Sequence, residues 1–233
     1  MSAAGNRWVT FDCFGTLVDW QQGFAEILAP VARGRVDEIV REYYACERRV
    51  ERQQPHRSYR DVLVAALVAA GEQAGVAIGP SDAETLPRAW GALRPFADTE
   101  TLLAELRARG YRLAVLTNCD DDLFEITHRR FRAPFDLFVT AERVRGYKPA
   151  PWHFRAFELL TGAARCDWVH VSGSWYHDIA PARALGVRRV WLDREQTGED
   201  PSYASAYVRT AGDALQAIEA LFADRTAEVA CVA

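Results

Sequence analysis

Clusters of positive charge are scarce in this chain. Its 28 Lys and Arg residues are outnumbered by 32 Asp and Glu, giving a formal net charge of -4. A nucleic-acid surface needs lysines and arginines gathered on one face. The densest such stretch, Arg129, Arg130 and Arg132, is short and reads as a solvated helix end, so no nucleic-acid partner is expected. Long apolar runs are missing as well. The longest, Val62 to Ala70, falls far short of the roughly 20 apolar residues that cross a bilayer, and no membrane partner is expected. The opening residues MSAAGNRW lack the apolar core of a secretory signal. Cysteines are few: Cys13, Cys46, Cys119, Cys166 and Cys231. Their odd number and irregular spacing suggest neither a disulfide framework nor a metal site, and they fit a reducing compartment. Internal repeats and low-complexity tracts are absent. Together these absences predict a cytoplasmic enzyme.

What is present is ordinary for a globular protein: 233 residues, 49% apolar and 26% charged. That length accommodates one α/β domain with a sizeable insertion, or two small domains. Trp8 to Phe11 reads as a buried strand. Val36, Ile39, Val40, Tyr43, Cys46 and Val50 then recur at three- and four-residue steps, one face of a helix over 36–50. A second helix over 58–74 carries Leu63, Ala66, Leu67 and Ala70 on one stripe, with Ser58 and Asp61 as its capping box. A third is expected over 81–93, ended by Pro95.

The rhythm then changes. Helices are predicted over 99–109, 122–131, 151–160, 179–185 and 212–222. They alternate with strands over 111–116, 137–140, 168–171 and 190–192. Such alternation predicts a parallel sheet. The expected fold is an α/β Rossmann-like parallel sheet with an inserted α-helical cap. The core would comprise 1–18 and 96–225, the cap 19–95, and a frayed tail 226–233. Ligands of open α/β sheets lie outside the carboxyl ends of the strands.

The residues there can carry chemistry. Asp12 ends the first strand beside a Gly15-Thr16 turn, a suitable place for a carboxylate nucleophile, although a strand-end aspartate can also simply cap a turn. Thr117 and Asn118 follow the second strand and offer a hydroxyl and an amide to an anion. Lys148 lies in the loop GYKPAP, and the segment SGSWYHD supplies Ser172, Ser174, His177 and Asp178.

The strings FDCFGTLVDW, TN, YKP and YHDIAPARALG resemble, in order, the four motifs of the haloacid dehalogenase superfamily, over essentially the whole chain. They look most like the type II haloacid dehalogenases. The resemblance implies that Asp12 attacks the α-carbon of a small carboxylate substrate and displaces halide, forming an ester that water then hydrolyses. It implies that Thr16 orients Asp12, that Lys148 is the cation beside it, and that Asp178 anchors Lys148 or orients water. Ser172 and Ser174 would support that water. Thr117, Asn118, Phe14, Trp175 and Tyr176 would contact substrate. A homodimer, common in the family, stays open.

Departures from the family's patterns decide the chemistry. Phosphatases of the superfamily carry an aspartate two residues after the nucleophile, where this chain has Phe14. They carry another where this chain has Gly173. A phosphate ester's alkoxide needs a proton to leave and a halide does not, so Phe14 favours displacement at carbon. No metal is expected to be required, though Asp12 and Asp178 leave room for weak magnesium binding. Dehalogenases of this branch have an asparagine near Ser174, one residue fewer before the aspartate, and tyrosines where this chain has Phe14 and Phe154.

A cap arginine usually receives the halide. Arg41, Arg48 and Arg49 fall off the apolar face of their helix and read as solvated. Arg60, at the edge of the buried stripe, would need either an anion or a salt-bridge partner. Trp20 and Trp152 are further candidates for pocket walls. The leading expectation is a metal-free 2-haloacid dehalogenase. A C–N hydrolase of a strained cyclic amino acid, a magnesium-dependent phosphatase and a silent binding protein remain as alternatives.

Overall fold

Four consecutive buried residues, Trp8–Phe11, form β1, the strand on which the site is built. The computed structural model describes residues 7–224. The tail expected over 226–233 lies outside them. β1 is joined by β2 (Arg112–Thr117), β3 (Leu137–Thr140), β4 (Trp168–Ser172), β5 (Arg188–Leu192) and β6 (Ala206–Val208). All pairings are parallel, in the order β3-β2-β1-β4-β5-β6. β1 lies between β2 and β4, with Phe11 opposite Val115 on one side and Val171 on the other. The winding reverses at β1, and a crevice opens at such a switch point outside the carboxyl ends of the strands. The α/β fold read from the sequence is the fold observed. The sequence reading lacked β6, whose three residues include the exposed Tyr207.

Between β1 and β2 the chain is helical. It forms α1 (Trp20–Leu28), α2 (Val36–Glu51), α3 (Tyr59–Gln73), α4 (Pro80–Ala83), α5 (Thr85–Arg88) and a single 3₁₀ turn, Trp90–Ala92. The single helix expected over 81–93 is thus broken into short turns. Pro87 has no N–H to continue a helix from α4, but it fits within the first turn of a new one. α2 and α3 pack against each other, burying Ile39, Tyr43 and Cys46 against the Val62, Leu63, Ala66 stripe. Ser58 caps α3, its Oγ accepting from Asp61 N at 3.2 Å. The next two donors go elsewhere: Tyr59 N and Arg60 N donate to the carboxylate of Asp120, at 2.8 and 3.0 Å. A residue at the end of the sheet therefore holds the start of α3.

The remaining helices flank the sheet: α6 (Thr99–Ala108), α7 (Asp121–His128), α8 (Ala141–Val144), α9 (Trp152–Thr161), α10 (Ala180–Ala184) and α11 (Ala211–Ala223). A wide π turn, Trp175–Ile179, leads into α10. Such turns often mark functional positions. Cys13, Cys46 and Cys119 are free thiols. No helix among the described residues is long and apolar enough to cross a membrane.

Candidate active site

At the end of β1 the chain folds back on itself. Cys13 O accepts from Leu17 N at 2.8 Å and Val18 N at 3.0 Å, while Gly15 adopts φ +87°, a conformation glycine enters freely. The turn returns Thr16 to the strand end. Its Oγ1 donates to Asp12 Oδ2 at 2.8 Å and accepts from Gly173 N at 2.8 Å. One hydroxyl thus fixes the Asp12 carboxylate to the loop after β4.

Asp12 Oδ1 accepts from Lys148 Nζ at 2.8 Å. Lys148 is 1% exposed, and its ammonium also donates to Asp178 Oδ1 and Oδ2 (2.8 and 3.1 Å) and to Leu116 O (2.9 Å). Burial disfavours the ammonium, yet the charges of Asp12 and Asp178 outweigh it and push its pKa up to about 12. Asp178 is fully buried. Burial pushes its carboxyl up, but the charge of Lys148 and the bond with His170 hold it well below the usual range. Ser172 Oγ donates to Asp178 Oδ2 at 3.0 Å, and His170 Nε2 stands 3.0 Å from Asp178 Oδ1. Behind His170, Trp168 Nε1 donates to Thr10 Oγ1 at 2.8 Å, and Thr10 Oγ1 lies 2.8 Å from His170 Nδ1. A neutral His170 with its proton on Nε2 satisfies every group in this chain.

The helical insertion supplies groups that the sequence reading missed. Glu47 and Glu51 stand on α2, only 9% and 8% exposed. Glu47 Oε1 accepts from Tyr59 OH at 2.6 Å and Tyr43 OH at 3.3 Å. Glu51 Oε1 accepts from Asn118 Nδ2 at 3.0 Å, and Glu51 Oε2 faces His177 Nε2 at 3.5 Å. Burial, added to by the charge of Glu51, lifts Glu47 to about 7. Burial lifts Glu51 to about 8 against the opposing pull of Asn118 and Lys148. His177, depressed by burial to about 4, is neutral near pH 7, and its Nδ1 lies 3.0 Å from Ser174 Oγ. A signal for these acids was available. Tyr43, Glu47 and Glu51 follow Ile39 at four-residue steps, which places two carboxyls on a buried stripe.

A cavity of about 780 Å³ joins the two halves. Asp12, Phe14, Thr117, Lys148, Ser174, Trp175, Tyr176 and His177 line it from the sheet side, and Trp20, Glu47 and Glu51 from the insertion. Thr117 Oγ1 is buried there without a hydrogen-bond partner. Thr16, Ser172 and Asp178 stand behind the cavity wall and hold Asp12 and Lys148. Asn118 borders the cavity, but its side chain is already engaged. Its Oδ1 accepts from Lys148 N at 2.7 Å, and its Nδ2 donates to Lys148 O at 3.1 Å as well as to Glu51.

Arg60 is not brought to the cavity. Its guanidinium pairs with Asp122 at 2.7 Å, so the halide-receiving role considered for it gives way to a salt bridge. Trp152 is 53% exposed and does not line this cavity, and Phe154 is buried against His170. Arg48, read as solvated, borders the cavity with its guanidinium 3.4 Å from the centre of the Tyr176 ring.

A family model for haloacid dehalogenase-like hydrolases matches residues 7–186. The chain belongs to this family. Among curated relatives, haloacetate dehalogenase H-2 of Moraxella sp. (strain B) is 28% identical over 118 residues, 48% of this chain and 52% of that protein. The phosphoserine phosphatase of Thermus thermophilus is 35% identical over 108 residues, 46% of this chain and 43% of that protein. The chain therefore spans about half the length of these curated relatives. The crystal structure of the L-2-haloacid dehalogenase RSc1362 superposes with a TM-score of 0.83 at 23% identity, covering 91% of this chain and 98% of that one. At that identity the likeness is one of fold.

Magnesium serves the phosphatases of this superfamily, and the donors here do not fit it. The ion prefers near-octahedral oxygen ligands. Between Asp12 and Asp178 stands the ammonium of Lys148, and Asp178 is fully taken up by Lys148, His170 and Ser172. At Gly173, where phosphatases place a carboxylate, a Cβ would come within 2.5 Å of Gly15 O.

Proposed function

We propose that this hydrolase displaces halide from a small 2-substituted carboxylic acid through Asp12, without a metal. The helical insertion, 19–95, serves as the cap over a core whose described residues are 7–18 and 96–224. The observation that carries this reading is Phe14. Its ring borders the cavity two residues after Asp12 and packs against Trp90 at 4.9 Å between centroids. An apolar wall stands where a phosphatase needs a proton donor. An oxygen of Asp12 forms a bond to the α-carbon as the carbon–halogen bond breaks, and the halide leaves with the electron pair. Water then adds to the ester carbonyl of Asp12. The ester breaks, releasing a 2-hydroxy acid and a proton and restoring the carboxylate. Lys148 and Thr16 hold Asp12 throughout, and the unpaired hydroxyl of Thr117 is available to the bound anion.

The test is halide release from a panel of 2-chloro-, 2-bromo- and 2-fluoro-carboxylates with EDTA present. Release supports metal-free displacement at carbon. Silence across the panel, with phosphate released from phosphoserine in magnesium, would overturn it in favour of a phosphatase. The likeness to the Thermus thermophilus phosphoserine phosphatase is the observation on that side.

A further inference from the structure

We propose that Glu47 and Glu51 form a subsite for a positively charged nitrogen on the substrate, so that the preferred substrate is a small carboxylic acid bearing an amine. This deepens the reading of Asp12 as nucleophile and rests on it for the chemistry, but not for the binding.

Two carboxyl groups four residues apart on one buried helix face repel each other and lose hydration. Each takes its hydrogen bonds on Oε1: Glu47 from Tyr43 and Tyr59, Glu51 from Asn118. The cations in reach are committed elsewhere. Lys148 is engaged by Asp12, Asp178 and Leu116 O. Arg48 lies on the Tyr176 ring. Arg48 and Arg52 act on Glu51 only as charges felt more weakly than that of Lys148, and Arg41, which lines the same cavity, lies 3.7 Å from Glu42. His177 is neutral near pH 7. Among the described residues, the pair thus faces the cavity with no lysine or arginine in salt-bridge contact.

Two further polar atoms there make no hydrogen bond, although His177 Nε2 lies 3.5 Å from Glu51 Oε2. His177 Nε2 belongs to a residue 9% exposed and has no hydrogen-bond partner, and the same holds for Oγ1 of the fully buried Thr117. Both residues line the same cavity as the glutamates. The walls suit a cation as well. Trp20, Tyr44, Tyr59 and Trp90 surround the space beside the two acids, and aromatic faces attract ammonium groups. A simple 2-haloacid brings only negative charge to this wall. An ammonium would let both carboxyls ionise against it, and the protons they hold when the cavity is empty would be released.

The experiment is calorimetric titration of the full chain with three inert probes of similar length: 4-aminobutyrate, butyrate and glutarate. The expected order has 4-aminobutyrate binding at least about tenfold tighter than butyrate, with glutarate weakest. Binding of 4-aminobutyrate at neutral pH should release protons, read as a heat that changes with the buffer's ionisation enthalpy. Glu47→Gln and Glu51→Gln should each erase most of the preference while leaving butyrate binding within about twofold. Equal binding of the three probes, no binding of 4-aminobutyrate, or a preference that survives both variants would overturn the subsite. Halide release is read separately, from 2-chlorobutyrate and 4-amino-2-chlorobutyrate. Release with no preference for the amine keeps the chemistry and removes the subsite. Tight amine binding without halide release keeps the subsite and removes the chemistry.

Discussion

Asn118 Nδ2 donates to Glu51 Oε1 at 3.0 Å, tying the end of β2 to the last residue of α2. The same amide clamps the backbone of Lys148 through its N–H and its carbonyl. One side chain therefore joins the backbone of Lys148 to the helical insertion. A residue that borders the cavity thus also couples its two walls.

The protonation of Glu51 makes that coupling sensitive to pH. Its carboxyl rises on folding from the ordinary 4.5 to about 8, chiefly through burial. The folded state then holds a proton that the unfolded chain has released, so stability is whole below about pH 4.5 and is lost as pH rises through about 8. Glu51→Gln keeps the acceptor for Asn118 and removes the titration. The melting temperature of the variant relative to the unaltered protein should climb steadily between about pH 5 and 8.5. Glu47, lifted partly by the charge of Glu51, titrates lower in the variant and adds to the climb; His153, lowered to about 3 by burial and remote from Glu51, loses stability as pH falls and cancels in this difference. A difference constant with pH would show that Glu51 does not titrate across the range.

Asp12→Asn separates chemistry from structure. The amide oxygen can still accept from Thr16 or Lys148, so the melting temperature should change little. Without a carboxylate no ester forms, and turnover should fall below about one thousandth of the unaltered rate. Halide release and thermal melting, measured on the same preparation, check both halves. A large loss of stability with activity retained would make Asp12 structural.

Lys148→Met should do the opposite and damage both. It leaves Asp12 and the fully buried Asp178 without their shared cation. Breaking a buried ion pair from one side costs about 3–5 kcal/mol, readable by urea unfolding at neutral pH. Lys148 holds the Asp178 carboxyl low, and that contribution is present at neutral pH and lost on acidification. The deficit of the variant should therefore shrink as pH falls. A deficit independent of pH would assign the loss to packing instead.

Much of this site was legible in the chain, because a parallel sheet gathers the residues that follow its strands. Asp12, Thr117, Lys148 and Asp178 could be brought together from strand order alone. β6 could not be read, because three half-exposed residues carry little periodic signal. Glu47 and Glu51 were passed over because glutamates on helices are usually solvated, and only their step from Tyr43 sets them apart. Arg60 was misplaced for a related reason: its partner, Asp122, lies 62 positions away. His170 gave no local sign of its bond to Asp178, since a histidine inside a buried strand reads as core.

Gly173 offers the sharpest test of whether this chain can carry phosphatase chemistry. A Cβ there would meet Gly15 O at 2.5 Å and Leu192 O at 3.3 Å, and backbone atoms cannot swing aside as a side-chain end can. Gly173→Ala should cost about 1–3 kcal/mol of stability. It should also lower activity, because Gly173 N and Asp12 are joined through the single hydroxyl of Thr16. Gly173→Asp meets the same obstacle, so adding it to Phe14→Asp should not install magnesium-dependent phosphate release. Phosphatase assays with magnesium on the double variant, beside melting curves for each single one, decide the matter. A stable, active phosphatase would mean that the turn at Gly15 yields easily and that aspartates at these two positions suffice for phosphate release.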